Sequence, residues 1–339
     1  MNIKNNFFAT GIGSLPFLDK RIAVEFILST LNQHIPYWPQ LPKISFYENM
    51  HIQYSQGFPG VTIDLPNKNM YIDTQKVSFI EEFEACFDAI NNEKLDYFSI
   101  SKDYAAGLHE FLRQIPGKDL KFIKGQVIGP ISYGMTLLDE RKKPILFNAE
   151  LSQIIASFLA CKAKWQIKEL RRVSKADIVF FIDEPYLVAI GTSQFASFKK
   201  NDIVDKINHV VDAIHKEKAL AGIHCCGNTD WSICFDTDID ILSFDAFEFF
   251  DSLLIYKDSL NKFIKNGGIL SLGIVPNKED YNLDGYIDKA KEVFKKNKAL
   301  LSGGAFITPS CGCGTLSIEF AKRAHILIKE IAQGYSGLR

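Results

Sequence analysis

Residues 178–185 read IVFFIDEP, five apolar side chains followed by two acids and a proline. An apolar run of this length without alternation marks a strand covered on both faces, and the abrupt switch to charge marks where it leaves the core. The unit recurs at 122–128, 222–225, 241–245, 269–272 and 305–307, and stretches of helical period fill the intervals at 150–172, 202–218, 286–295 and 316–333. Such alternation predicts repeated βα units around a parallel sheet. Runs at 7–11 and 44–47 supply the two further strands that an eightfold repeat needs. A doubly wound open sheet usually carries a Gly-rich phosphate turn, and none is present. The expected fold is therefore α/β, a single (β/α)8 TIM barrel over residues 1–339. The segment 36–75, aromatic and punctuated by proline, is expected as an N-terminal loop-and-hairpin insertion over the barrel mouth.

Composition narrows the function classes. With 39 basic against 40 acidic side chains the formal charge is −1, which favours neither disorder nor a nucleic-acid partner. No uncharged apolar stretch approaches the ~18 residues of a membrane span, and the first residues lack a signal-peptide core. No membrane partner and a cytoplasmic location follow as expectations. The seven cysteines are odd in number and four stand in two tight pairs, Cys225/Cys226 and Cys311/Cys313, so metal or thiol chemistry is favoured over a disulfide framework.

The chemistry-bearing residues fall just past the C-terminal ends of the expected strands, where barrel enzymes keep their active sites. Ser14 follows the first run, Gly129-Pro130 and Tyr133 the 122–128 run, and Asp183-Glu184 the 178–182 run. His224, Cys225 and Cys226 end another, Asp245 the next, and Cys311 and Cys313 follow the last. On an extended strand His224 and Cys226 face one side while Cys225 faces the other. Cys311 approaches the same mouth and completes a His/Cys/Cys set suited to Zn²⁺. Three ligands leave a position for an incoming group or for a weakly held carboxylate such as Asp245, and an open zinc position signals catalysis. Thiolate-rich zinc is best used to bind and deprotonate a thiol, so thiol alkylation is the expected reaction class. Hydrolysis by zinc-bound water is the competing use.

At these residues the chain resembles a family. TGIGSLP (10–16), GPIS (129–132), FIDEP (181–185), IHCCG (223–227), ILSFD (241–245) and TPSCG (308–312) occur in the order seen in the catalytic barrel of cobalamin-independent methionine synthases. That barrel belongs to a superfamily shared with uroporphyrinogen decarboxylase and corrinoid-dependent methyltransferases. The resemblance implies a zinc-dependent thiol S-methyltransferase that forms methionine from homocysteine. It implies His224, Cys226 and Cys311 as zinc ligands, with Asp245 where the synthases place a glutamate and Glu248 as the fallback. It further implies Ser14, Asp183 and Glu48 as the grip on the amino-acid end of homocysteine. Tyr133, together with Phe46, Tyr47 and Phe58, is expected to cover the site and exclude water.

Two departures concern the methyl donor. The synthases have a second, N-terminal barrel, and this sequence has one. Folate-using members carry a histidine after the seventh strand that protonates the departing nitrogen, whereas SLGIVPNKED (271–280) contains none. A missing general acid costs about 10²–10⁴-fold, but reduced cobalt leaves a methyl group without a proton. The expected donor is therefore a methylcorrinoid, free or held by a corrinoid protein partner. Two rival readings are methyl transfer to another thiol such as coenzyme M, and a non-catalytic zinc- or corrinoid-binding accessory protein. Uroporphyrinogen decarboxylation fits less well, because the expected strand ends carry no arginine for a tetra-acid. Carriage of a corrinoid fits less well too, because no DxHxxG run appears.

Overall fold

The computed structural model describes residues 6–192, 195, 198–279, 283 and 285–335. Among them nine strands occur: β1 (Phe7–Ala9), β2 (Val61–Asp64), β3 (Asn69–Ile72), β4 (Phe122–Ile128), β5 (Asp177–Asp183), β6 (Leu220–Cys225), β7 (Ile241–Phe244), β8 (Ile269–Val275) and β9 (Ala305–Pro309). Seven of them form one curled, all-parallel sheet in the order β1-β9-β8-β7-β6-β5-β4, flanked by helices. Strands β2 and β3 pair antiparallel as the hairpin expected within 36–75.

Side-chain parity divides the sheet. Ile123, Val127, Ile178, Phe180, Ile182, Ile223, Leu242 and Ile307 face the helices and belong to the main core. The opposite parity faces inward and changes character with depth. Near the strand starts Phe8, Phe122, Val179, Phe181, Ile241 and Phe306 form a separate apolar plug together with Ile35. Toward the strand ends the same faces carry Thr10, Lys124, Gln126, Asp183, His224, Ser243, Ser271 and Thr308, all buried. Polar groups are costly to bury without partners, so a polar layer above an apolar plug marks a place built for polar contacts.

The expected closed barrel is corrected at one position. The run 44–47 is not a strand. Phe46–Glu48 is a turn of 3₁₀ helix, capped by the Ser45 hydroxyl, and the parallel sheet stops at seven strands. Segment 35–40, IPYWPQ, spans the gap between the edge strands β1 and β4. The Ile35 amide donates to the Ala9 carbonyl and the Lys124 amide to the Pro36 carbonyl, while Gln40 and the Gly13–Leu15 turn exchange backbone bonds. Tyr37 and Gln40 make isolated parallel bridges to Lys124 and Ser14. Pro36 and Pro39 lack amide protons, so this segment cannot form a regular ladder. The result is an α/β half-barrel with an irregular seam. No helix among the described residues is long and apolar enough to cross a membrane.

Candidate metal centre

β6 carries His224 on its inward face, and Cys226 follows directly after the strand at the same parity. Cys311 lies in the loop after β9, one residue beyond Ser310, whose amide donates to the Val275 carbonyl at the end of β8. One ligand atom from each of His224, Cys226 and Cys311 lies within 4.8 Å of the others. The imidazole is buried and both thiols are half-buried, so the cluster is reachable from one side.

The histidine is oriented by its neighbour. Ser243 is paired with His224 in the β6–β7 register, and its hydroxyl lies 3.0 Å from His224 Nδ1. Nε2 is buried without a partner, which leaves that nitrogen to the cluster. A hydroxyl holding one ring nitrogen while the other faces an ion is the arrangement metal-binding histidines require. The thiols are tied to each other. A hydrogen bond from Cys311 draws Cys226 well below the ordinary thiol range, and Cys311 is pushed up by the same contact. One imidazole and two sulfurs at this spacing fit Zn²⁺, which takes such donors tetrahedrally.

The Cys311 loop is clamped from two sides. Ser14 Oγ accepts from the Gly314 amide at 3.1 Å, and the Ser14 carbonyl accepts from the Cys313 amide at 2.9 Å. Asn277, after β8, donates its side-chain amide to the Gly312 carbonyl at 3.1 Å. A β-carbon at Gly312 would lie 2.3 Å from Ser14 Oγ, so any side chain there would displace the hydroxyl that accepts from Gly314.

Asp183 lies beside His224 in the β5–β6 register; its charge is felt at Cys311, and that of Cys226 is felt at Asp183. Its Oδ1 is buried without a hydrogen-bond partner. Burial raises its pKa, with His224 and Lys124 opposing. Glu48 is buried and accepts from the amides of Leu41 and Ala106 and from the Gln53 side chain. Burial outweighs these bonds and pushes the carboxyl up to about 7. Asp183 and Glu48 both act on the buried Tyr54, whose hydroxyl donates to the Gln126 carbonyl.

Other residues singled out from sequence have different surroundings. Asp245 is the N-cap of helix Ala246–Leu253, with Oδ1 accepting from the Phe247 and Glu248 amides. Its carboxyl is raised to about 6, chiefly by burial. It is not in the cluster of atoms within 4.8 Å. Glu248 is exposed and pairs with Lys278 at 3.7 Å. Tyr133 is fully buried against Phe58 and Phe158, with its hydroxyl unpartnered. Glu184, the second acid of IDEP, caps helix Pro130–Thr136: its carboxylate accepts from the Ile131 amide and from the Ser132 amide and hydroxyl. Gly129 leaves room for it.

Sequence reasoning passed over Lys124, Gln126 and Ser243. The signal was present, since positions 124 and 126 are polar at strand period inside an apolar run, and 243 shares the parity of 245.

No protein-family model matches the chain, and no curated protein matches its sequence. A solved structure does match over nearly the full length. It is a Listeria monocytogenes protein provisionally described as a vitamin-B12-independent methionine synthase, covering 97% of this chain and 98% of its own at 14% identity and a TM-score of 0.57. The likeness is one of fold. A 3-keto-D-glucoside 4-epimerase from E. coli, in its apo form, covers 76% of this chain at 8% identity and a TM-score of 0.38, too distant to carry an argument.

Proposed function

We propose that this chain is a zinc-dependent thiol S-methyltransferase that methylates homocysteine to methionine, with a methylcorrinoid as donor. The observation that carries the reading is the His224–Cys226–Cys311 cluster, with its atoms within 4.8 Å and Asp183 beside it. The match in fold to a protein described as a methionine synthase supports the same class of chemistry. In this reading the sheet is a (β/α)8 barrel in which segment 35–40 takes the place of a strand, and the 36–75 insertion lies over the mouth of a single domain.

Zn²⁺ held by these residues would bind the acceptor sulfur and favour its thiolate form, the nucleophilic one. Ser243 holds the His224 ring in the required tautomer, and Ser14 and Asn277 fix the Cys311 loop. The unpartnered Oδ1 of Asp183 receives the ammonium of the amino acid, and Glu48 adds a second carboxylate whose charge, like that of Asp183, is felt at Tyr54. Asp245 spends one oxygen on the helix cap and would offer the other to the ion as a weak fourth donor. Tyr133 backs the site through its packing on Phe58. A methylcorrinoid, when bound, would supply the methyl group: the carbon–sulfur bond would form as the carbon–cobalt bond breaks, with the electron pair of that bond left on cobalt. No proton has to reach the leaving group, which suits a segment after β8 that lacks histidine.

The test is formation of methionine by the zinc-loaded chain from homocysteine and methylcobalamin without folate. Activity with methyltetrahydrofolate alone would overturn the donor. Preference for coenzyme M in competition would overturn the acceptor, and absence of zinc from the purified chain would overturn the class.

A further inference from the structure

Lys124 is a lysine with no accessible surface, in the middle of the inward face of β4. Burying an ammonium is expensive, and a methionine would fill the same space without that cost. Its stem lies where the seam, the end of β1 and β4 converge. The ammonium sits over the Phe181 ring at 4.6 Å and the Tyr37 ring at 5.4 Å. It donates to the Ile12 carbonyl at 2.5 Å and to Gln126 Oε1 at 3.2 Å. Ile12 stands two residues before Ser14, which bonds Gly314 and Cys313 in the loop that carries Cys311. Lys124 is also the lysine whose charge opposes that of the unpartnered Asp183.

We propose that Lys124 is a positioning residue of the metal site. Its ammonium fixes the Ile12 carbonyl, the Ile12–Ser14 turn follows, and that turn sets where Cys311 stands relative to His224 and Cys226. The inference rests on the zinc reading above and adds to it a clamp that touches neither metal nor substrate. Burial lowers the Lys124 pKa to about 7, with Asp183 opposing, and the amine can donate to the Ile12 carbonyl in either protonation state.

The test is zinc affinity by chelator competition, together with the absorption spectrum of the Co²⁺-substituted protein, for wild type, Lys124→Met, Ser14→Ala and the double variant. Thermal melting of each zinc-free protein monitors folding. Loss of an outer partner of a metal site typically costs about 10–100-fold in metal affinity. Lys124→Met is expected to lose affinity in that range and to shift the thiolate bands of the Co²⁺ spectrum. Because both residues act along one path, the double variant should lose little more than the larger single loss. Wild-type zinc affinity and an unshifted spectrum in Lys124→Met would overturn the inference and leave the proposed function standing, and so would losses that simply multiply. Should Lys124→Met fail to fold, the Co²⁺ spectrum of Ser14→Ala decides: unchanged bands overturn the clamp. A wild-type chain that binds no zinc overturns both.

Discussion

Gly129→Ala tests how the GPIS turn and the IDEP strand end depend on each other. A β-carbon added at Gly129 would lie 2.1 Å from Glu184 Cδ and 2.2 Å from Oε1, far inside contact distance. The side chain that must give way is fully buried and holds the first turn of helix Pro130–Thr136 through bonds of 2.9, 2.8 and 2.6 Å. Hydrogen bonds to a charged group contribute about 1.5–3 kcal/mol each, and they do not add fully. Burial raises the Glu184 carboxyl to about 7, so above that pH it is charged, and displacing it while it stays buried costs about 3–5 kcal/mol, as for other buried charges robbed of their partners. Gly129→Ala should therefore destabilise the chain by about 3–5 kcal/mol in urea unfolding, with the slope against urea unchanged. The same substitution made in Glu184→Ala, where the three atoms nearest the added β-carbon are gone, should cost under about 1 kcal/mol more. The reasoning fails if Gly129→Ala alone costs less than about 1 kcal/mol, or if its cost is the same in both backgrounds.

Three further outcomes are expected. Ser243→Ala, which frees Nδ1 of His224, should weaken zinc binding by about 10–100-fold while leaving one zinc per chain at saturation, as chelator competition and metal analysis would report. Asp245→Asn keeps the helix cap, since Asn caps as well as Asp, so a roughly tenfold weaker zinc affinity marks the carboxylate as a fourth donor. Unchanged affinity would remove it from the set. Lys162, buried and bonded to the Gln56 and Ser99 carbonyls, has its pKa lowered by burial from 10.5 to about 7. Between those values the unfolded chain holds a proton that the folded chain has lost, so stability falls as pH drops from 10.5 toward 7. Lys162→Met should flatten that slope by up to about 1.4 kcal/mol per pH unit in denaturant titrations, and an unaltered slope would refute the assignment.

Much of the sheet could be read from the chain because strands buried on both faces announce themselves. The run 122–128 coincides with β4, and 178–182 and 222–225 lie within the bounds of β5 and β6. The expected strand at 44–47 failed because Ser45 and Asn49 cap local turns there, an alternative those side chains offer the backbone whatever the apolar pattern. The segment that fills the gap, IPYWPQ, was hidden by its prolines, which make extended backbone look like loop. At the candidate centre, strand parity brought His224 and Cys226 to one side, and Cys311 follows from the rule of strand ends. Ser243 and Lys124 were harder to see, because their roles are contacts across the sheet interior. Periodicity says which way a side chain faces, but not what it meets there.

The seam at 35–40 has a mechanical consequence. The interior strands of the sheet are each stitched to two neighbours, whereas this stretch hangs on a few backbone bonds beside two imino acids. Sub-global opening begins where such stitching is sparse. The half-barrel is thus an open bracelet, and its clasp sits against Lys124 and the Gly13–Leu15 turn. Slackening there would be transmitted to Ser14 and, through its bonds to Cys313 and Gly314, to the loop that carries Cys311, so that thiol would lose its station before His224 and Cys226 lost theirs.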